Sequence, residues 1–228
     1  MRVFDISLMW EGFIQYRSQI GEAVGETFAM VGIALLAAIL LGLPAGTALY
    51  LTGKGQLYEH RLGYGLLNGA VNVIRSFPFL LLVVFMIPLT RLIVGTAIGT
   101  LAASIPLAVV AIAIYARFVE QSLLEVPRGV IESARSMGAS RIQIVLKFLY
   151  VEARSGLVLG LTSSTISFIS YSTVMGVVGG GGVGDFAIRY GYQRFETELM
   201  AVVILLMIVL VQGIQFIGNA LSRWLDKR

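Results

Sequence analysis

Residues 117–154 read RFVEQSLLEVPRGVIESARSMGASRIQIVLKFLYVEAR, a polar stretch set between long apolar runs. Pro127 suits the first turn of a helix, and Val130, Ile131, Ala134 and Met137 recur at helical spacing to give one apolar face. Arg128, Glu132, Arg135 and Ser136 fall elsewhere on that helix. Gly138 can take the left-handed conformation that stops a helix. Ser140 and Gln143 then match the S-x-x-Q capping box of a second helix, with Ala139 and Ile144 at the staple positions. The expectation is two short helices joined by a tight corner. On these local grounds two roles fit equally: a rigid knob that transmits force when a partner grips it, or a loop lying on a membrane surface.

The residues around this corner are those of a membrane protein. Of 228 residues, 57% are hydrophobic and 13% charged, with a mean hydropathy of +0.86, whereas soluble domains are roughly 25% charged. Runs without charge that match the roughly 20 residues needed to cross a ~30 Å hydrocarbon layer lie at 27–53, 92–116, 155–184 and 199–222. A fifth span, about 69–90, is shorter, because Arg75 and Arg91 leave only about 22 Å of uncharged helix at 1.5 Å per residue. Arg75 must snorkel, or face protein or water. Five spans put the termini on opposite sides. Segments 51–75, 117–154 and 223–228 hold twelve Lys/Arg against five in the rest of the chain, which places the N-terminus outside, and the C-terminus and the 117–154 loop in the cytoplasm. Membrane orientation explains the net charge of +4 better than nucleic-acid binding does.

Other features narrow the function. Residues 1–26 scatter Asp5, Glu11, Arg17, Glu22 and Glu26 among apolar residues, which suits an interfacial helix leading into the first span rather than a cleaved signal. With no cysteine, disulfides and thiol chemistry are excluded. His60 stands in a short loop with no second metal ligand at a suitable spacing and reads as a solvated loop residue. Residues 179–184, GGGGVG, match G-x-G-x-x-G in form, yet a membrane helix precedes them where that fingerprint needs a strand. Left-handed or unusually extended backbone near an outer mouth fits them better. None of the acids falls well inside an expected span, so the buried carboxylate of many ion-driven carriers is not expected, and no residue pattern binds ATP.

The fourth span carries eight hydroxyls in twelve residues: Thr162, Ser163, Ser164, Thr165, Ser167, Ser170, Ser172 and Thr173. Some can bond back to carbonyls one turn earlier. The alternative is a helix lining a water-filled path through Ser163, Ser167, Ser170 and Tyr171, with Val174 and Met175 as an apolar constriction. Gly42, Pro44 and Gly46 in the first span, and Gly156 and Gly160 in the fourth, suit close helix packing or a hinge. Pro78 and Pro106 can kink the second and third spans.

Glu132-Ser133-Ala134, with Gly138 six positions after the glutamate, resembles the EAA loop of permease subunits in bacterial ATP-binding-cassette (ABC) importers, which docks in a cleft of the ATPase. Ser133 replaces the usual middle alanine and Val151 stands where a proline often ends the motif, but the glutamate and glycine are kept. Residues 75–79 (RSFPF), 87–96 (IPLTRLIVGT), 179–185 (GGGGVGD) and 187–192 (AIRYGY) are similar to methionine-importer permeases, and the resemblance covers nearly the whole chain from about Gly25.

The resemblance implies an all-α membrane protein with five transmembrane helices in the type I ABC importer permease fold, set in the bacterial inner membrane. Residues 1–26 would be an N-terminal interfacial segment, 27–222 the transmembrane domain, with the coupling loop within 117–154, and 223–228 a cytoplasmic tail. Arg128, Glu132, Ser133, Arg135, Gly138, Ala139 and Ser140 would meet the ATPase. The chain would be no enzyme and hold no cofactor, with ATP and Mg bound by the partner subunit. Its partners would be a second copy of itself, two cytoplasmic ATP-binding subunits and an external methionine-binding protein, often a lipoprotein. The cargo would be L-methionine, with the D enantiomer and derivatives in the same range. The alternatives are a permease for another amino acid or small solute, and a stand-alone secondary carrier.

Overall fold

The computed structural model describes residues 6–226; Asp5 of the expected interfacial segment, and Lys227 and Arg228 of the expected tail, lie outside the described residues. Among the described residues every regular element is helical. In chain order they are α1 (Ile6–Ala37), α2 (Leu43–Thr52), α3 (Arg61–Ser76), α4 (Phe79–Phe85), α5 (Ile87–Val94) and α6 (Thr100–Leu124), followed by α7 (Arg128–Ser136), α8 (Arg141–Gln143), α9 (Tyr150–Val177), α10 (Gly182–Phe186) and α11 (Thr197–Leu225). Wider π-helical turns, Ala38–Gly42, Ile144–Leu149 and Ala187–Tyr192, join α1 to α2, α8 to α9 and extend α10. The first of these has a cause in the sequence. Pro44 has no N–H and its ring crowds the carbonyl four residues back, so the helix widens just before it.

Among the described residues three helical stretches are long and apolar enough to cross a membrane, Ser7–Thr52, Thr100–Leu124 and Thr197–Leu225, with Arg61–Ser76 and Phe79–Phe85 a fourth candidate bent by 105°. The expected span at 199–222 lies inside the third, and that at 27–53 lies inside the first except for Gly53, the C-cap. The others are redrawn. The expected 92–116 span is interrupted, because Gly95 (φ 82°) ends α5 and α6 starts only at Thr100. The 69–90 span breaks at Phe77–Pro78, where proline cannot continue α3 and instead caps α4. The 155–184 span ends at Val177, before the glycine run. Helix α1 passes residue 26 without a break, and α6 continues to Leu124, so Glu120 belongs to a long helix and not to the polar loop.

The contacts divide the chain into two units, one of residues up to 35, 77–109 and 165–214, the other of residues 36–76, 110–164 and 215 onward. In the second unit the 110–124 part of α6 is the centre, with Ala111, Ala113, Ala116, Val119 and Leu123 all buried. Small residues let neighbours approach it. A Cβ on Gly42 would lie 3.0 Å from the Ile112 carbonyl and one on Gly46 would overlap the Ala116 carbonyl, so α2 sits directly on α6. On α9, Gly156 and Gly160 do the same, against Ser122 Oγ at 3.1 Å and Phe118 Cβ at 2.9 Å. These glycines are packing devices.

In the first unit Tyr16, Ile20 and Ala23 of α1 form a core with Val183, Phe186, Leu199 and Val203. The Tyr16 ring meets Tyr190 edge-on at 5.3 Å, Phe186 stacks on Tyr190 at 4.7 Å, and the Tyr16 hydroxyl donates to Glu196 Oε1 at 3.1 Å. Tyr16, Ile20 and Ala23, all before residue 27, are therefore built into a protein core along one face of α1.

Candidate functional site

The corner at 127–144 forms as its residues dictate. Pro127 stands at the N-cap of α7 and not in its first turn. Its φ of −58° and ψ of 134° direct the chain into the helix, and with no N–H it leaves one fewer orphan donor. At the other end Gly138 adopts φ 75°. Its N–H bonds the Arg135 carbonyl at 2.9 Å and the Ala139 N–H bonds the Ala134 carbonyl at 3.0 Å, the paired bonds of a Schellman stop. The capping box follows: the Gln143 N–H donates to Ser140 Oγ at 3.4 Å, and the Ser140 N–H to Gln143 Oε1 at 2.8 Å. Both helix ends at the corner are satisfied without outside help, which makes it stiff.

Its faces divide by chemistry. Ala134 and Ile144 are fully buried, and Val130 and Ile131 half-buried. Met137, expected on the inner face, is instead 68% exposed at the tip, as are Ile142 (67%) and Leu146 (56%). Glu132, Ser133, Arg135, Gly138 and Ser140 are also exposed, and Ala139 half-buried. Arg128, Ile131, Glu132 and Arg135 line a cleft of about 220 Å³ whose other side is Tyr50, Gly55, Leu57 and Val126. The Arg141 guanidinium lies 4.8 Å over the Tyr58 ring, tying the second short helix to the loop after α2. His60 is more than a solvated loop residue, for its Nδ1 accepts the Gly63 N–H at 2.9 Å and caps α3.

Thr162, Ser164, Ser170, Ser172 and Thr173 bond back to Val158, Gly160, Ile166, Ile169 and Ser170 carbonyls, and Thr162, Ser164, Thr165 and Ser172 are buried. Fewer positions are accessible. Ser163 in the second unit and Ser170 in the first are exposed, Ser167 and Val174 half-buried, and 163, 167, 170 and 174 recur at the spacing of one helical face. The Tyr171 ring packs tilted against Phe79, with ring centroids 4.6 Å apart. Met175 departs from the expected constriction: it is 2% exposed and lines a small apolar cavity in the first unit with Val83, Pro106 and Val178.

Two polar clusters escaped sequence reasoning. In the second unit Arg117 pairs with Glu120 one turn on, and its guanidinium also donates to Asn68 and Asn72 Oδ1, each at 2.7 Å, while Tyr64 donates to Glu120 at 3.4 Å. Glu120 is 4% exposed. The i,i+4 pair Asn68/Asn72, between the apolar pairs Leu66/Leu67 and Val73/Ile74, was the available signal. In the first unit Glu26 of α1 bonds the glycine run. Both carboxylates sit within long helices rather than in loops.

Comparison with known proteins gives this arrangement its context. The family described as binding-protein-dependent transport system inner membrane component matches residues 38–228. The chain is 48% identical over 206 residues to the "Probable D-methionine transport system permease protein MetI" of Vibrio cholerae, covering 90% of this chain and 92% of that one. It is 45% identical over 155 residues to the D-methionine transport system permease protein MetI of Escherichia coli K12, covering 68% and 71%. Among solved structures, a chain of the inward-facing MetNI methionine ABC transporter superposes with a TM-score of 0.91 at 41% identity over 93% of this chain and 99% of that one. A chain of an amino acid ABC transporter, at 17% identity and a TM-score of 0.77, shares the fold alone. The all-helical type I importer-permease fold expected from the sequence is the one adopted. The chain thus belongs to the inner membrane components of binding-protein-dependent transport systems, and is a multi-pass inner-membrane transport subunit rather than an enzyme.

Proposed function

We propose that this chain is the permease of an ATP-driven methionine importer, working as a homodimer with two ATP-binding subunits and an external methionine-binding protein. The observation that carries the proposal is the self-capped corner around Gly138, which exposes Glu132, Ser133, Arg135 and Met137 on a stiff support. The relatives named for D-methionine transport and the MetNI neighbour support the cargo and the ATPase partner. L-methionine is proposed beside the D enantiomer because selection can reside in the external protein.

In this reading residues 1–26 border the membrane, 27–222 form five spans with the N-terminus outside, and 223–228 reach the cytoplasm. ATP closes the two partner subunits, and their clefts carry the corners inward with Arg128, Glu132, Ser133, Arg135, Gly138, Ala139 and Ser140 as the contact. Charged and apolar groups divide the contact: Glu132 and the arginines give register, and exposed Met137 gives buried apolar area. The helices then tilt to open a path lined by Ser163, Ser167, Ser170, Tyr171 and Val174, with Met175 supporting Val174 from inside. Hydrolysis resets the cycle.

Reconstitution of the chain with its ATP-binding and binding-protein partners tests this. ATP-dependent uptake of labelled methionine in preference to other amino acids is expected; gradient-driven uptake by the permease alone overturns it.

A further inference from the structure

The glycine run joining α9 to α10 is held from a distance of 156 residues. Helix α10 starts at Gly182, so the N–H groups of Gly182 and Val183 have no partner within the helix. The preceding Gly181 has no side chain to cap them. Helix α1 supplies both acceptors: Glu26 Oε2 takes the Gly182 N–H at 2.6 Å, and Thr27 Oγ1 takes the Val183 N–H at 2.9 Å. Thr27 is 5% exposed and Val183 3%. Glycine is required where they meet, since Gly181 and Gly182 have φ of 77° and 82°. A Cβ on Gly181 would crowd the Glu26 carboxylate, and one on Gly182 would lie 2.8 Å from both Met30 Cε and Thr27 Oγ1. The other end of the run belongs to α9, whose Met175 carbonyl accepts the Gly180 N–H at 2.9 Å, and to Gly99, whose N–H bonds the Gly179 carbonyl at 2.9 Å.

We propose that Glu26 and Thr27 are positioning residues for the translocation path. By capping α10 from α1 they fix the glycine run, and through it the end of α9 that carries Ser170 and Val174. A charge-assisted bond to a carboxylate is stronger than a neutral one, which suits a tether that must hold while other helices move. The role in transport rests on the proposed importer function; the clamp itself does not.

The cysteine-free chain allows the two to be tested separately, in the assembled complex. The first measurement is the rate of maleimide labelling of Val183→Cys, with Leu49→Cys, buried in the other unit, as reference. Glu26→Ala and Thr27→Val should each speed labelling of the first by about tenfold and leave the second unchanged, while Glu26→Gln, which keeps an acceptor oxygen, restores slow labelling. Unchanged Val183→Cys labelling overturns the clamp, and faster labelling at both positions reduces it to a general stabilising contact. The second measurement is methionine taken up per ATP hydrolysed. Glu26→Ala should lower the ratio by about tenfold, the lower end of the scale on which a lost charged hydrogen bond acts, with Glu26→Gln near the parent value. A parent complex without ATP-driven methionine uptake sinks the importer reading while the labelling still decides the clamp; a parent that transports, with an unchanged ratio in Glu26→Ala, sinks the positioning role.

Discussion

Gly138 is the residue on which the corner turns, and its demand is conformational. At φ 75° a side chain with a branched Cβ costs roughly 1–2 kcal/mol or more, and nothing lies within 4 Å of where that Cβ would be. The strain is therefore local and not a clash with the core. Gly138→Val should leave the chain assembled but swing the Ser140 cap away from α7, so that ATP hydrolysis continues while methionine uptake falls; both are read in the same vesicles. Gly138→Asn, which tolerates the left-handed region, should be milder. Normal uptake in Gly138→Val would remove the mechanical role. This site was legible residue by residue, because the glycine stop and the S-x-x-Q box are local rules that need no tertiary contact. Met137 was misplaced for the complementary reason: it follows the apolar period of α7, yet it is the C-cap, where the helix ends and the chain turns outward.

Helix α9 shows where local rules stop being enough. Eight hydroxyls mark it as unusual, but which of them meet water depends on neighbouring helices that the sequence does not order in space. Five bond back to their own helix. The face at 163, 167, 170 and 174 emerges only after burial is known. Ser167→Leu and Ser170→Leu should therefore impair uptake without impairing assembly, whereas Phe168→Ala, at a fully buried position, should destabilise the fold by about 3–5 kcal/mol. Recovery of the complex on gel filtration and uptake of labelled methionine separate the two effects; uptake unchanged in both leucine variants would count against a pore-lining face. The same dependence on distant partners hid Glu26. A glutamate on a helix flank and a glycine run 156 residues later carry no mutual signal in a single sequence.

For the molecule as a whole, the expected first and last spans fall on long helical stretches, while breaks divide the 69–90 and 92–116 spans. Hydropathy sees composition but not the breaks that Gly95 and Pro78 introduce, so α4 and α5 were read as parts of longer helices. The orientation argued from lysine and arginine counts can be checked with single cysteines. Lys54→Cys should react with an impermeant reagent only after the membrane is opened, and Gln193→Cys in intact cells; the reverse pattern inverts the topology. Arg117 and Glu120 carry a consequence for biogenesis. Each charge alone would be costly in a newly inserted apolar helix, but they stand three residues apart on α6 and pair within one turn. The helix can leave the translocon as an already neutral rod and then meet the asparagines of α3, which precedes it in the chain. The order of synthesis, with α3 made first, then means that those asparagines wait in the membrane for a partner that comes pre-neutralised, and early pairing with the wrong helix gains little.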